Sequence, residues 1–290
     1  MKIGFIGQGW IGKNIADDYE NRGYEVVRYA LEEPYANNKS LIKDCDIVVI
    51  AVPTPTTPDG FDDSILRTVI PLTGNDKIVV VKSTVAPGVT ESLAKTFPNR
   101  YIIHSPEFLV ESTAAYDAAH PTRNILGIPD DTEEYKQAAD KVLSILPDSP
   151  VNIVCSAREA ELIKYASNCF LFTKVVFANI LYDLTIANSS SWEIIAQGMA
   201  ADPRIGTSHL KVIDASRHPG AKAGRGAGGH CFIKDFAALR EIYEKTLPGN
   251  KGLSVLRALE EMNIELLEKS GKDLDLLKQV YEKSPLNQNL

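Results

Sequence analysis

The sequence lacks the features of several classes of protein. It has no basic cluster, and 31 Lys and Arg stand against 38 Asp and Glu for a net charge of −7, which argues against nucleic acid as a partner. Its four cysteines form no Cys-x-x-Cys pair, so we expect no metal site and no disulfide framework. The first residues enter a strand pattern directly, which leaves no room for a signal peptide. We therefore expect a cytoplasmic protein.

Long uninterrupted hydrophobic runs are also missing. The most apolar long segment, residues 169–187, contains Lys174, Asn179 and Asp183. We interpret it as a buried helix and expect no membrane span. A length of 290 residues with 44% hydrophobic residues predicts a globular chain of about two domains.

Short runs rich in valine and isoleucine alternate with helical or loop segments through the first half of the chain. Most of these runs are apolar on both faces, as are strands of a parallel sheet that helices cover. The spacing predicts a doubly wound, parallel α/β domain of the Rossmann type over residues 1–155. The predicted strands are 2–6, 25–29, 46–52, 78–82, 101–104, 124–128 and 152–154.

A glycine-rich motif, GQGWIG at residues 7–12, follows the first strand and opens a helix. Gly7 permits the tight turn, Gly9 lets a pyrophosphate approach, and Gly12 lets the helix pack on the sheet. In this context the motif predicts a dinucleotide site.

The acid that usually binds the adenosine ribose is missing from its place. The second strand ends in Ala30, where an Asp or Glu is expected about twenty residues after the glycines. Glu32 or Glu33 can reach back to the adenosine ribose, or Arg28 can favour the 2′-phosphate of NADP. The choice between NAD and NADP stays open.

Three loops follow strands at the edge where such sheets bind ligands: residues 51–56 (AVPTPT), 82–88 (KSTVAPG) and 104–111 (HSPEFLVE). The third carries Glu107 and Glu111. If this loop is helical, the two carboxylates share a face; a solvated charged face is the alternative interpretation.

From residue 156 the pattern becomes helical. Ser156 and Glu159 form a capping box, from which one helix is expected to run to about residue 188, over ~45 Å. It is apolar over more than one stripe, so we expect it to pack against a second chain in a homodimer. Lys164 and Asn168 share one of its faces. Further helices are predicted at 192–200, 236–245 and 253–283, with a frayed end at 284–290, which gives an all-α domain over 156–290.

The motif GGHCFIKD at residues 228–235 places Cys231 where a glycine loop turns into a helix. Free backbone N–H groups and the helix dipole favour a thiolate there. Lys234 and Asp235 add a cation and a carboxylate, so the set is typical of a covalent active site. The alternative is a small buried cysteine that only fills space.

Seven motifs, in order along residues 1–244, together resemble the UDP-glucose/GDP-mannose dehydrogenase family of sugar-nucleotide oxidases. They are GQGWIG, AVPTPT, KSTVAPG, SPEFLVES, EAELIKYASNCF, DPRIG and GGHCFIKD. The resemblance implies a two-step oxidation of a primary alcohol to a carboxylate that uses two NAD molecules in turn. The implied substrate is a sugar nucleotide similar to UDP-glucose.

The resemblance also implies roles for single residues. Cys231 attacks the aldehyde left by the first hydride transfer, and the thiohemiacetal is oxidised to a thioester that water hydrolyses. Lys164 and Asn168 stabilise the oxyanion, while Asp235 orients the water and Lys164.

Five further residues take their roles from the same resemblance. Thr84 and Glu107 help to activate the alcohol or the water, Glu111 lies near the nicotinamide pocket, Lys234 follows the nucleophile, and Arg204 reaches substrate across a dimer interface. The implied cofactor-binding residues are Gly7, Gln8, Gly9, Trp10, Ile11, Gly12, Val52, Pro53, Thr54, Thr84, Glu111 and Lys234. The implied substrate-binding residues are Glu107, Phe108, Leu109, Lys164, Asn168, Arg204 and Gly228.

The chain departs from the family pattern in its second half. A third, nucleotide-binding domain of roughly a hundred residues is expected in the family after the long helix, and this chain ends where that domain would begin, so we expect a short form. His230 and Ile233 replace the small residue and the proline that flank the cysteine motif. These changes concern the substrate's nucleotide half and leave the oxidation chemistry in place.

Two other functions compete with this one. A β-hydroxyacid dehydrogenase has a similar start and uses a helix lysine, here Lys164, as acid and base for a single hydride transfer without a cysteine. A non-catalytic NAD-binding remnant is the other, although such a protein has no use for Cys231, Lys164, Asn168 and Asp235 together.

Overall fold

A computed structural model of the chain describes residues 1–218 and 220–282. The predicted frayed end at 284–290 lies outside the described residues. The strands are β1 (Lys2–Ile6), β2 (Glu25–Tyr29), β3 (Ile47–Ile50), β4 (Thr56–Thr57), β5 (Gly60–Phe61), β6 (Lys77–Val81), β7 (Arg100–His104), β8 (Asn124–Ile128), β9 (Asn152–Ser156), β10 (Asp214–Ala215) and β11 (Ala223–Gly224). The helices are α1 (Trp10–Asn21), α2 (Ser64–Val69), α3 (Val89–Thr96), α4 (Ala114–Ala119), α5 (Glu133–Leu143), α6 (Ala157–Ala187), α7 (Trp192–Ala200), α8 (Gly229–Thr246), α9 (Lys251–Ser270) and α10 (Leu274–Tyr281), with 3₁₀ turns at Ala36–Asp44, Ile70–Leu72 and Glu111–Thr113.

The chain divides into two compact units. The first unit comprises Met1–Pro55 and Asp62–Lys164, and the second comprises Thr56–Phe61 and Tyr165–Leu290. The division along the chain therefore falls inside α6. The predicted domain boundary at residue 155 stays a prediction.

The first unit is built on one seven-stranded sheet in the order β2-β1-β3-β6-β7-β8-β9, and all seven predicted strands are confirmed. The predicted doubly wound α/β sheet is confirmed, and one pair near its edge is antiparallel. The pairs from β2 to β7 are parallel, but β8 is antiparallel to β7, with His104 opposite Gly127, and β9 is parallel to β8. The connection from β7 to β8 contains the 3₁₀ turn Glu111–Thr113 and the six-residue α4. It lacks the longer crossover helix that usually joins two parallel strands.

The strand composition follows from burial on both faces. All four residues of β3 and all five of β8 are buried, as expected for inner strands that helices cover. On one face, the ring of Phe5 meets that of Tyr19 from α1 edge-on, with ring centres 5.4 Å apart. The strand order changes direction between β1 and β3, so the loops that follow these strands flank the switch point where such folds bind ligands.

The predicted capping box starts α6. The Glu159 carboxylate accepts hydrogen bonds from the backbone N–H and the hydroxyl of Ser156, at 2.8 and 2.7 Å. One turn on, the fully buried Glu161 carboxylate accepts the backbone N–H groups of Gly88 and Thr90, at 2.6 and 2.8 Å. Because these donors belong to the start of α3, Glu161 caps a second helix within the first unit.

Among the described residues, α6 is also the one helix whose length and apolar composition would suffice to cross a membrane. The core helices of soluble proteins can have the same length and composition. The buried polar side chains Glu161, Lys164 and Asn179 on α6 are typical of a helix packed inside a protein.

In the second unit, α8 begins at Gly229, seven residues before the predicted start. Cys231 therefore lies in its first turn. The single helix predicted over 253–283 is wrong, because α9 ends at Ser270 and α10 begins at Leu274. Gly271 and Asp273, with φ of 68° and 52°, adopt the left-handed backbone that ends a helix. Of the predicted stretch, Lys283 lies outside the described residues.

The core of the second unit joins α6 to α8. The rings of Phe172 and Phe236 stack with their centres 3.8 Å apart, and α10 packs Leu276 and Leu277 against Ile233 of α8. Two small hairpins were not predicted: β4 with β5, and β10 with β11 within the expected loop 202–229.

Candidate active site

The glycine loop in the first unit has the geometry that a dinucleotide requires. Gly7 has a φ of 91°, and a side chain there would meet the carbonyl oxygen of Ala51 at 2.2 Å. A side chain at Gly12 would meet the carbonyl oxygen of Gly7 at 2.0 Å, whereas one at Gly9 would meet nothing within 4 Å. The first and third glycines are therefore needed for packing, and the second leaves open space at the start of α1. This loop fits the pyrophosphate of NAD.

Arg28 is already engaged by carboxylates. Its guanidinium binds Asp17 and Glu20 of α1, each at 2.7 Å, and lies 3.4 Å from the side-chain oxygen of Gln8. Because two carboxylates neutralise it, Arg28 does not offer a free charge to a 2′-phosphate. This pairing favours NAD between the two cofactors that the sequence left open.

Two predicted ligand-binding loops are tied together at the switch point. The Val52 backbone N–H donates to the Ser83 hydroxyl at 3.0 Å, and that hydroxyl donates to the Val52 carbonyl at 2.7 Å. The buried Thr54 hydroxyl donates to the carbonyl oxygen of Thr84 at 2.7 Å. Pro53 stays exposed between them. The loops after β3 and β6 thus form one wall, with Thr84 on it.

Glu107 and Lys164 form a buried ion pair in the first unit. The Lys164 ammonium donates to a carboxylate oxygen of Glu107 at 2.8 Å and to its carbonyl oxygen at 2.7 Å, and both side chains are at most 5% exposed. The second carboxylate oxygen accepts the backbone N–H of Leu109 at 2.8 Å. The sequence assigned both residues to catalysis, and the structure brings them into contact.

Two further basic groups surround this pair. Lys82, at the end of β6, donates to the Ser105 hydroxyl at 2.8 Å. Burial lowers the Lys82 pKa to about 8, although the nearby Glu107 charge opposes the shift. Burial also lowers the pKa of His104 to about 3, and the charges of Lys82 and Lys164 act in the same direction. His104 is therefore neutral at pH 7, with its Nδ1 3.1 Å from the Val81 carbonyl oxygen.

An aromatic ring supports the same loop. The guanidinium of Arg123 lies 3.7 Å from the ring centre of Phe108, and the Lys164 ammonium lies 5.5 Å from that centre. A cavity of about 220 Å³ is lined by residues that include Lys82, Glu107 and Arg123. The lining combines the cations Lys82 and Arg123 with the carboxylates Glu107 and Asp117, so the cavity offers polar groups of both charges.

The loop that carries Glu107 and Glu111 is not helical, so the condition under which the two carboxylates would share a face is not met. Residues 105–110 are irregular, and Glu111 begins a 3₁₀ turn. The proline at position 106 and the contact from the Leu109 N–H to the Glu107 side chain replace the helical backbone pattern. Glu107 is buried, while Glu111 is exposed.

The second unit assembles three of the predicted catalytic residues. Cys231 is half-buried in the first turn of α8, and Asp235 lies one turn later on the same helix. The Asp235 carboxylate, 1% exposed, accepts the Asn168 side-chain amide at 2.6 Å and pairs with the Lys234 ammonium. Asn168 is one helical turn after Lys164 on α6. The predicted contact of Asp235 with Lys164 stays a prediction.

The remaining predicted substrate residues of the second unit are Arg204 and Gly228. Arg204 is 87% exposed, and its guanidinium binds Asp202 two residues away at 2.6 Å. Gly228 precedes α8, and a side chain there would lie 2.1 Å from a carboxylate oxygen of Asp273. The role of Arg204 across a dimer interface stays a prediction.

Sequence reasoning missed several residues next to the predicted ones. Lys82 could have been identified from the sequence, because a lysine that directly follows an apolar strand needs a buried partner. No feature of the sequence pointed to Arg123. Asp273 was hidden inside a segment that the pattern predicted as continuous helix, so its approach to the start of α8 had no local signature.

The chain matches known families and structures over most of its length. Residues 33–145 match the NAD binding domain of the UDP-glucose/GDP-mannose dehydrogenase family, and residues 158–265 match its central domain. The UDP-glucose 6-dehydrogenase YwqF of Bacillus subtilis is 34% identical over 215 residues, which are 69% of this chain and 45% of that protein. The UDP-glucose 6-dehydrogenase of Rickettsia typhi is 31% identical over 290 residues, covering 84% and 63%. The chain thus spans about half to less than two thirds of the length of these relatives.

Solved structures show the same fold. A UDP-glucose dehydrogenase from the archaeon Pyrobaculum islandicum superposes with a TM-score of 0.76 at 26% identity, covering 92% of this chain and 68% of that one. A UDP-D-ManNAc dehydrogenase from Pyrococcus horikoshii superposes with a TM-score of 0.74 at 21% identity, covering 93% and 69%. The second likeness concerns the fold alone.

Proposed function

Because the chain belongs to the UDP-glucose/GDP-mannose dehydrogenase family, we propose that it oxidises the primary alcohol of a sugar nucleotide to a carboxylate with NAD. The observation that carries the proposal is the arrangement on α8. Cys231 lies in the first turn, and one turn later Asp235 binds Asn168 at 2.6 Å. A thiol at a helix start beside a fixed amide and carboxylate suits covalent catalysis.

NAD, when bound, would supply a hydride acceptor, and two NAD molecules are used in turn. The alcohol first loses a hydride and a proton to become an aldehyde. The Cys231 thiol then loses its proton, its sulfur forms a bond to the aldehyde carbon, and the aldehyde oxygen takes up a proton, giving a thiohemiacetal. Loss of a second hydride and a proton gives a thioester, and water breaks its carbon–sulfur bond to release the carboxylate and restore the thiol. The sum is one substrate, two NAD and one water converted to one carboxylate, two NADH and three protons.

The residues of the first unit supply charge and proton transfer in this proposal. Lys164 carries a positive charge held by Glu107 at 2.8 Å, and such a fixed cation stabilises an alkoxide or oxyanion. Glu107 is the candidate acceptor of a proton from the alcohol or from water, and Thr84 assists it. In the second unit, Asn168 adds an amide donor that Asp235 orients.

The first test counts NADH per substrate consumed. The purified chain is assayed with UDP-glucose, other UDP- and GDP-sugars and simple sugars, with the Cys231→Ser variant in parallel. We expect two NADH per substrate, a carboxylate product, and loss of the carboxylate product in the variant. Cys155→Ser is the matched control, because Cys155 is the other half-buried cysteine, and it should retain full activity.

One outcome decides against this route. A yield of one NADH per substrate, with activity that survives Cys231→Ser, would move the chain to the β-hydroxyacid type of chemistry, in which Lys164 transfers the proton. No turnover with any substrate of the panel, together with tight NAD binding, would instead support the non-catalytic function.

We also propose that the chain forms a homodimer through α6. Phe170, Phe177 and Leu184 of this helix are 72, 54 and 59% exposed, and they recur every seven residues. That spacing places large apolar side chains on one stripe, as in helices that pack against each other. Ile194 of α7 is 72% exposed as well. Light scattering should give twice the chain mass, and Phe177→Glu should give the monomer, whereas a monomeric wild type would contradict the proposal.

A cytoplasmic location completes the proposal. No disulfide joins the four cysteines, all of which lie among the described residues, and this suits a reducing compartment. Sugar-nucleotide and NAD substrates are consistent with the same location. Fractionation of cells that express the tagged chain would test it, and recovery in the membrane fraction would count against it.

A further inference from the structure

A buried carboxylate outside the predicted active-site residues holds the start of the Cys231 helix. Asp273, 5% exposed, lies between α9 and α10. Its carboxylate accepts hydrogen bonds from the Ser216 hydroxyl, from Nε2 of His218 at 2.8 Å and from the backbone N–H of Gly229 at 2.7 Å. Gly229 is the first residue of α8 and lies two residues before Cys231.

The donors keep this carboxylate ionised. Burial raises the pKa of Asp273, but the hydrogen bonds from Ser216, His218 and Gly229 outweigh it, so the pKa lies below the usual value. An ionised carboxylate only accepts hydrogen bonds, so Nε2 of His218 is the donor. The backbone N–H of Gly229 is one that the helix itself cannot satisfy, and Asp273 satisfies it.

The approach of Asp273 depends on the glycines before the cysteine. A side chain at Gly228 would lie 2.1 Å from the Asp273 carboxylate and 2.7 Å from the side chain of Lys272. Gly229 has a φ of 82°, in the left-handed region that favours glycine. The two glycines of the GGHCFIKD motif therefore serve a contact with a side chain 44 residues away.

The same C-terminal segment also binds the residues just before these glycines. The Lys272 ammonium donates to the carbonyl oxygen of Gly226 at 2.9 Å. The side-chain amide of Asn263 accepts the N–H of Ala227 at 2.6 Å and donates to its carbonyl oxygen at 3.0 Å. Residues 226–229 are thus fixed from outside by three side chains, of which Asp273 makes the contact nearest to Cys231, at Gly229.

We propose that Asp273 is a positioning residue for Cys231, which fixes the first turn of α8 and so directs the thiol at the aldehyde carbon. The proposal rests on the function proposed above, in which Cys231 forms the carbon–sulfur bond. Asp273 acts on this step through the backbone at Gly229, and hydride transfer from the alcohol does not use it. Its removal therefore slows the second oxidation more than the first.

The test combines a direct measure of the thiol with the partition between the two oxidations. Asp273→Ala removes the carboxylate, Asp273→Asn keeps one acceptor oxygen for Gly229, and Asp275→Ala is the matched control, because Asp275 is an exposed carboxylate two residues away. All are made in a Cys155→Ser background. The alkylation of Cys231 by iodoacetamide is timed by mass spectrometry, and NADH and trapped aldehyde are counted per UDP-glucose consumed.

We expect Asp273→Ala to change the alkylation rate by about tenfold or more, as misplacement of a reacting group by an ångström does. NADH per substrate should fall from two towards one with release of aldehyde, while NAD affinity stays within about twofold, the range expected for a site that Asp273 does not touch. Asp273→Asn should recover part of both readouts, and Asp275→Ala should match the wild type. If the substitution only destabilised the fold, all rates would fall together and the yield would stay at two NADH per substrate.

Two results would overturn the inference. One is a folded Asp273→Ala variant whose alkylation and NADH ratio both equal those of the wild type. If that variant does not fold, Ser216→Ala, which removes one donor to the carboxylate, replaces it, and unchanged alkylation there has the same meaning. Failure of the proposed function looks different, because the wild type itself would then give one NADH, and the alkylation comparison would still test the hold of Asp273 on the thiol.

Discussion

The buried carboxylate of the candidate site in the first unit and the buried carboxylates at α8 in the second unit have different partners. In the first, the carboxylate of Glu107 interacts with two ammonium groups, Lys164 and Lys82. In the second, two buried carboxylates, Asp235 and Asp273, accept donors at the start of α8 and from α6. The first arrangement keeps a cation buried beside its partner, and the second holds a helix and an amide in fixed positions.

This difference separates electrostatic stabilisation from orientation. A cation that is buried with its partner keeps its field because little water screens it. A carboxylate that accepts hydrogen bonds from backbone and amide N–H groups fixes the positions of those donors, because its charge is neutralised by them. The variants below test whether the two regions really differ in this way.

The largest expected effect is loss of the buried cation of the first unit. Lys164→Met leaves the Glu107 carboxylate buried without its ammonium, which typically costs about 3–5 kcal/mol. Lys234→Met is the matched change in the second unit. It should cost less, because the Lys234 side chain is 24% exposed and Asp235 keeps the Asn168 amide. Urea unfolding of both variants measures the difference.

A second variant checks the cause of that loss. Glu107→Gln in the Lys164→Met background removes the unpaired charge, so much of the lost free energy of unfolding should return. Equal costs for Lys164→Met and Lys234→Met would show that the two regions do not differ in the way described.

The sequence predicted the elements well where the pattern is local. The glycine loop, the seven strands, the capping box of α6 and α7 over residues 192–200 all depend on neighbouring residues. The antiparallel edge at β8 was missed because chain direction depends on a connection, and the connection of 105–123 lacks the longer crossover helix that usually joins two parallel strands. The break at Gly271 was missed because apolar periodicity continues into α10.

The sequence predicted which residues belong to the candidate site better than it predicted the contacts between them. Glu107 and Lys164 were both named as catalytic, but their ion pair was not foreseen, since 57 residues separate them. Asp273 binds Gly229 across 44 residues, and no spacing rule reports such a pair. Contacts of this length depend on tertiary packing, which the one-dimensional pattern does not contain.

A smaller expected effect is the pH dependence of stability caused by a buried histidine of the first unit. The His104 pKa is about 3 in the folded chain against 6.5 ordinarily, so between these values the unfolded chain binds a proton that the folded chain does not. Stability should therefore fall as the pH falls from 7 to 5, by about 2 kcal/mol from this group. The free energy of unfolding should change less with pH in His104→Gln.

The control for this pH effect is His120→Gln, because His120 is exposed and should leave the slope unchanged. Urea unfolding at pH 5, 6 and 7 gives all three slopes. Parallel slopes for wild type and His104→Gln would show that the buried imidazole does not set the acid limit of the first unit.

The smallest expected effect comes from removing the N-cap residue of one helix in each unit. Ser156 caps α6 beside Glu159, and Ser191 caps α7 by accepting the N–H of Ile194. Loss of either cap by substitution with alanine should cost about 1 kcal/mol. Hydrogen exchange should then rise at the start of α6 in Ser156→Ala and at α7 in Ser191→Ala. Neither should alter the alkylation of Cys231, because Asp273 fixes that helix through separate contacts. A change in alkylation with either cap variant would mean that the start of α8 is held less independently than its hydrogen bonds indicate.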